Sequence, residues 1–125
     1  MKRSMMQAYV KGSKEAVPFY LEVFNGELIS SYINEDGTYF HSEIDIEGEI
    51  FSVAERFEDG GNQTVTGNTM QFCLHYGEGR EETIRDVYEK LKQNAQIRIP
   101  LEPCSFSELM VDLTDQFGVR WCLFL

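Results

Sequence analysis

The sequence predicts an α+β fold of two tandem βαβββ modules, and three observations carry that prediction. The order strand, helix, strand, strand, strand can be read twice along the 125 residues. One stretch rich in Gly, Asn and Thr separates the two readings. Residues at equivalent places match: Met6-Gln7 with Met70-Gln71, Phe19-Tyr20 with Val87-Tyr88, and Gly48 with Phe51-Ser52-Val53 against Gly118 with Trp121-Cys122-Leu123. The predicted organisation is one domain, 1–125, with a first module over 1–57, a linker over 58–69 and a second module over 70–125.

Each element has a local cause. Residues 5–10 alternate Met6, Ala8, Val10 against Met5, Gln7, Tyr9, as a strand does. Lys11-Gly12-Ser13 turns the chain, and Ala16, Phe19, Tyr20, Val23 and Phe24 follow at helical spacing. Ser13 is the expected N-cap and Asn25-Gly26 the expected stop. Pro18 lacks a backbone N–H, so an irregular first turn is expected. Glu27 to Ile33 is a strand, Asn34-Glu35-Asp36-Gly37 a tight turn, and residues 39–46 alternate Phe40, Ser42, Ile44, Ile46 against His41, Glu43, Asp45. After Glu47-Gly48, Ile50 to Glu55 closes the first module. In the second, Met70 to Tyr76 is a strand and Glu81 to Lys92 a helix with Ile84, Val87, Tyr88 and Leu91 on one side. That helix has acids at its start and lysines near its end, as its dipole favours. Gln96–Leu101, Leu109–Leu113 and Val119–Phe124 are the remaining strands.

Composition narrows the function. Hydrophobic residues make up 42% of the chain and aromatics 13%, which suits a packed core. The net charge is −10, from 21 acidic and 11 basic residues, and repels phosphate backbones and anionic bilayers. Nucleic acid and membrane are therefore not expected as partners. No apolar run is long enough to span a bilayer, and no apolar stretch follows Lys2-Arg3, so no secretory signal is read. Three cysteines without a CxxC pair point to reduced thiols, no structural zinc and a cytoplasmic location.

Three stretches then resemble a known family. Gly12-Ser13-Lys14-Glu15-Ala16-Val17-Pro18-Phe19-Tyr20 with Phe24-Asn25-Gly26-Glu27-Leu28 resembles the opening of PhnB-like proteins. His41 to Gly48 is similar to that branch's His–x–x–Leu–x–Ile–x–Gly strand, and Asp115-Gln116-Phe117-Gly118-Val119-Arg120-Trp121 to its Asp–x–Phe–Gly–x–x–Trp signature. Phe106-Ser107-Glu108 departs from the family's pattern before the seventh strand. The chain is so identified with the vicinal-oxygen-chelate (glyoxalase/bleomycin-resistance) superfamily, PhnB-like branch. The resemblance implies modules whose mixed sheets curl around a central pocket, and a homodimer. Members include metal-dependent lyases, isomerases and dioxygenases as well as proteins that only bind drugs, so the fold does not by itself give a reaction. The methyltransferase name attached to some relatives finds no glycine-rich adenosylmethionine loop here.

Strand parity selects the residues that would line the pocket, since the helix covers the apolar face of each sheet. They are Gln7, Tyr9, His41, Glu43, Ser52, Gln71, Cys73, His75, Arg120 and Cys122. Tyr9, Tyr20, Tyr39, Phe40, Tyr76 and Phe124 offer stacking surface. Arg120 would hold a carboxylate or phosphonate-like ligand, or pair with Glu43 or Asp45. Metal-dependent relatives place a His or Gln on each first strand and a Glu on the last. The matching residues are Gln7 and Gln71, with Ser52 and Cys122 where Glu is required. No metal and no cofactor is expected there. The first reading is therefore small-molecule binding in the inter-module pocket without the usual metal. The alternative is a lyase or isomerase, using an atypical metal site at His41, Glu43 and His75 or a thiol, Cys73 or Cys122, near His75. A domain for interaction alone is the third.

Overall fold

The computed structural model describes residues 1–57 and 64–125. The chain divides into two compact units, Met1–Thr64 and Val65–Leu125. The first contains β1 (Met6–Val10), α1 (Ser13–Phe24), β2 (Glu27–Ile33), β3 (Tyr39–Ile46) and β4 (Glu49–Glu55). The second contains β5 (Phe72–His75), α2 (Glu81–Leu91), β6 (Gln96–Glu102), β7 (Met110–Thr114) and β8 (Arg120–Phe124). Each has its own four-stranded mixed sheet, in the orders β1-β4-β3-β2 and β5-β8-β7-β6. In both, the first strand runs parallel to the last and the other pairs are antiparallel. The α+β class and the doubled βαβββ order are thus observed. Of the expected linker, residues 58–63 lie outside the described residues, and 64–69 form neither helix nor strand.

The first helix begins differently from its expectation. Gly12, at φ 90°, is the N-cap, and Ser13 is the first helical residue. The cap comes from the end of β4. Glu55 accepts from the Ser13 N–H (2.9 Å), the Ser13 hydroxyl (2.9 Å) and the Gly12 N–H (3.2 Å). The Ser13 Oγ in turn accepts from the Tyr39 N–H at 2.8 Å. A carboxylate on the positive end of a helix replaces the local side-chain cap. Pro18 does not make the first turn irregular. The helix runs through it from Ser13, and the Lys14 carbonyl goes without its i→i−4 donor.

The core lies between each helix and one face of its own sheet. Ala16, Val17, Tyr20, Val23 and Phe24 of α1 are buried, as are Val10, Ile44, Phe51 and Val53 of the strands. The Tyr20 ring meets Phe51 edge to face at 4.9 Å. In the second unit Ile84, Val87, Leu91, Val111, Leu113, Trp121 and Leu123 are buried, with Phe72 edge to face on Trp121 at 5.5 Å. The Asp–x–Phe–Gly–x–x–Trp stretch has a mechanical meaning. Asp115 accepts from the N–H groups of Phe117 (2.8 Å) and Val119 (3.0 Å) and from the Trp121 indole (2.8 Å). One carboxylate so shapes the β7–β8 turn and anchors the largest core side chain. Gly118 takes φ 88° in that turn, a conformation that suits glycine.

Strand pairing corrects the residue-by-residue repeat. Gln7 lies opposite Ser52, but Cys122 lies opposite Cys73, not Gln71. The counterpart of Met6-Gln7 is therefore Phe72-Cys73, two residues further on. An even offset leaves every side chain on its expected face.

Glu55→Ala removes the cap of α1 and is expected to lower stability by about 1–2 kcal/mol. Urea unfolding of the two proteins checks this; unchanged midpoints would refute the capping role.

Candidate functional site

On the sheet face away from α1, the first unit carries a continuous polar line. Gln7 and Ser52 are register partners, as are Ser52 and Glu43. The fully buried Ser52 donates to Gln7 Oε1 at 3.0 Å, and its Oγ lies 3.3 Å from His41 Nδ1. His41 Nε2 lies 3.1 Å from Glu43 Oε1. Glu43 also receives both Arg3 guanidinium nitrogens, at 2.8 and 2.7 Å. The hydrogen bonds from Arg3, and then from His41, hold the Glu43 carboxyl down to about 2. An ionised Glu43 is acceptor-only, so the proton between it and His41 sits on Nε2.

Ser52, His41 and Glu43 thus occur in the order nucleophile, base, acid. Chemically the line is closed, however. Ser52 is fully buried and gives its proton to Gln7, and Glu43 is shared between two donors. The arrangement orients polar groups on a sheet face and presents no accessible nucleophile.

The second unit repeats the design with other residues. Cys122 is the register partner of both Cys73 and Asp112. Asp112 stands where Glu43 stands in the first unit, and each is 7% exposed. Its partner is Arg120, through Nε at 3.1 Å and Nη2 at 2.7 Å, and Arg120 Nη1 also donates to the Asn68 carbonyl at 3.1 Å. Arg120 therefore pairs with neither Glu43 nor Asp45. The Cys73 thiol donates to Gln71 Oε1 at 3.7 Å, and Gln71 Nε2 is buried with no hydrogen-bond partner among the described residues. Burial, then the neighbouring Cys73, pushes the Cys122 thiol up to about 11. Such a thiol stays protonated near neutrality, the opposite of an activated nucleophile.

Eight of the ten residues selected by parity fall into two sets. Gln7, His41, Ser52 and Glu43 form one connected line, and Gln71, Cys73, Cys122 and Arg120 share the second unit's counterpart. Tyr9 is 66% exposed on β1. His75 belongs to the second unit, is exposed, and stacks on Phe124 at 4.7 Å instead of meeting a cysteine. Two participants were missed. Arg3 was read only as part of a basic start, and nothing in local sequence ties it to Glu43 forty positions on. Asp112 was legible through the repeat, as the residue paired with the last strand where Glu43 is.

The donor set decides whether the metal implied by the family fits. In the first unit the paired positions offer an amide and a hydroxyl, and in the second two thiols. Neither supplies the anionic oxygen that a hard divalent cation needs. The nearest carboxylates, Glu43 and Asp112, are each held by an arginine. Among the described residues no three His, Cys, Asp or Glu side chains cluster to hold a metal ion. These residues do not fit the family's usual metal.

Because Glu43 is depressed from 4.5 to about 2, its pairing contributes stability that is complete above pH 4.5 and lost as pH falls towards 2. Glu43→Gln is expected to flatten that part of the melting-temperature profile between pH 5 and 2. An equally steep profile in the variant would refute the assignment.

No family model matches the sequence, and no curated protein does. Solved structures do. A PhnB protein from Bacillus cereus is 25% identical, with TM-score 0.81 over 99% of both chains. The fosfomycin resistance protein FosX from Listeria monocytogenes is 16% identical, with TM-score 0.71 over 98% of this chain and 91% of its own. A gene product of Arabidopsis thaliana is 20% identical, with TM-score 0.68 over 100% and 99%. The doubled βαβββ architecture and the two mixed sheets give this chain the vicinal-oxygen-chelate fold, and its structural likeness extends to a PhnB protein.

Proposed function

We propose that the chain is a small-molecule-binding protein that uses the polar sheet faces of its units without the hard divalent metal of its metal-dependent relatives. The observation that carries this is Gln71 Nε2, a buried amide donor with no partner among the described residues. Leaving such a donor unmet costs about 1–3 kcal/mol, and a ligand acceptor placed against it recovers that energy. Ser52 and Cys122 support the metal-free part, since each stands where an acidic ligand would be required. A FosX variant from Listeria monocytogenes, 16% identical, was solved with Mn(II) and a dihydroxypropylphosphonic acid. It shows what this fold can hold when the metal is present. Here the predicted ligand is a small organic molecule with a carbonyl, carboxylate or phosphonate oxygen. A homodimer and a reducing, cytoplasmic setting complete the reading; the three free thiols suit the latter.

A thermal-shift screen of small carbonyl, carboxylate and phosphonate compounds tests it. A ligand at a hundred times its Kd stabilises the folded state by roughly 2.7 kcal/mol, a rise of several degrees. Gln71→Leu is expected to abolish the rise without lowering the melting temperature of the free protein. Mn(II) alone is expected to give no shift; one tightly held Mn(II) per chain would sink the metal-free reading.

A further inference from the structure

The replacement that makes the family's site unfit for a hard cation creates a different one in the second unit. Cys73 on β5 and Cys122 on β8 are direct register partners on parallel strands. Both project from the same sheet face and neither is in a disulfide. Neighbouring strands lie about 4.8 Å apart. A metal held in line between two thiolates needs sulfurs separated by about twice a metal–sulfur bond, each roughly 2.3 Å. Strand pairing alone therefore sets two sulfurs near the span of a linear S–metal–S unit.

Coordination number narrows the metal. No third His, Cys, Asp or Glu joins the pair in a metal-holding cluster among the described residues, so a tetrahedral zinc site is not built. Asp112, the register partner of Cys122 on its other side, is occupied by the bidentate Arg120. Soft sulfur ligands select soft ions such as Cu(I). Cys73 is exposed and gives an entry path, whereas Cys122 is 7% exposed and provides a dry second ligand.

We propose that Cys73 and Cys122 form a two-coordinate thiolate site for a soft monovalent metal ion, with Cu(I) the best match. Two S–H bonds break and two S–metal bonds form. Two protons leave to solvent, nothing is oxidised or reduced, and the bound unit carries one net negative charge beside the Arg120–Asp112 pair. The site needs only the second unit's own residues, so it does not depend on the small-molecule reading above.

Anaerobic titration of the fully reduced protein with Cu(I), against the chromogenic chelator bicinchoninate, tests the proposal. The expected result is one Cu(I) per chain, with a near-ultraviolet thiolate-to-copper charge-transfer band. Cys73→Ser and Cys122→Ala are each expected to lower the affinity by about a hundredfold or more, and Cys104→Ser to leave it within about twofold. Circular dichroism checks each variant's fold. Should Cys122→Ala misfold, the exposed Cys73→Ser decides. Absence of stoichiometric binding, undiminished binding in Cys73→Ser, or loss of the site in Cys104→Ser would each overturn the two-coordinate assignment.

Discussion

In each unit the last strand lies between the first and the third, parallel to one and antiparallel to the other. That position fixes which side chains share a face and which are directly opposed. It puts Ser52 between Gln7 and Glu43, and Cys122 between Cys73 and Asp112. The helix-facing residues of the same strands, Phe51 and Val53 or Trp121 and Leu123, are fully buried. A slip of one residue would exchange the two sets and expose the core. The core therefore holds the polar faces in register, and the chemistry of those faces follows from whatever residue evolution leaves opposite the central strand.

Both faces solve the same electrostatic problem. Each third strand carries a carboxylate that is almost wholly removed from water, Glu43 in one unit and Asp112 in the other. A buried carboxylate without a partner is costly, and a bidentate guanidinium answers it with matched geometry. The two units find that guanidinium in different places. Arg120 comes from the adjacent strand β8, whereas Arg3 reaches Glu43 from ahead of β1. Equivalent positions in a repeat can so keep a role while drawing the supporting residue from unrelated points of the chain.

This asymmetry explains what could be read in advance. The alternation of hydrophobic residues on β3, β4 and β8 and the amphipathic spacing on α1 and α2 made the element order and the buried faces legible, because both depend on periods of 2 and 3.6 along the chain. The turn at Asp115 was recognisable as a motif, and the hydrogen bonds to Trp121 give it a physical cause. The helix cap was not legible, since its carboxylate is supplied by Glu55, 42 residues from Ser13. The exact repeat was blurred because Met-Gln occurs at both Met6-Gln7 and Met70-Gln71, while pairing equates Gln7 with Cys73. Side-chain partners set by three-dimensional pairing leave no short-range trace.

The Arg3 guanidinium has a consequence for handling the protein. Nothing but its link to Glu43 joins the leading segment to the sheet face among the hydrogen bonds and ion pairs described for it. Its side chain is 46% exposed, so solvent ions reach the pair readily. Trimming three residues would remove the guanidinium that holds Glu43, forty positions later on β3, and so recharge that face. The start of the chain is in this sense part of the first unit's polar surface, and preparations that differ only there are electrostatically different proteins.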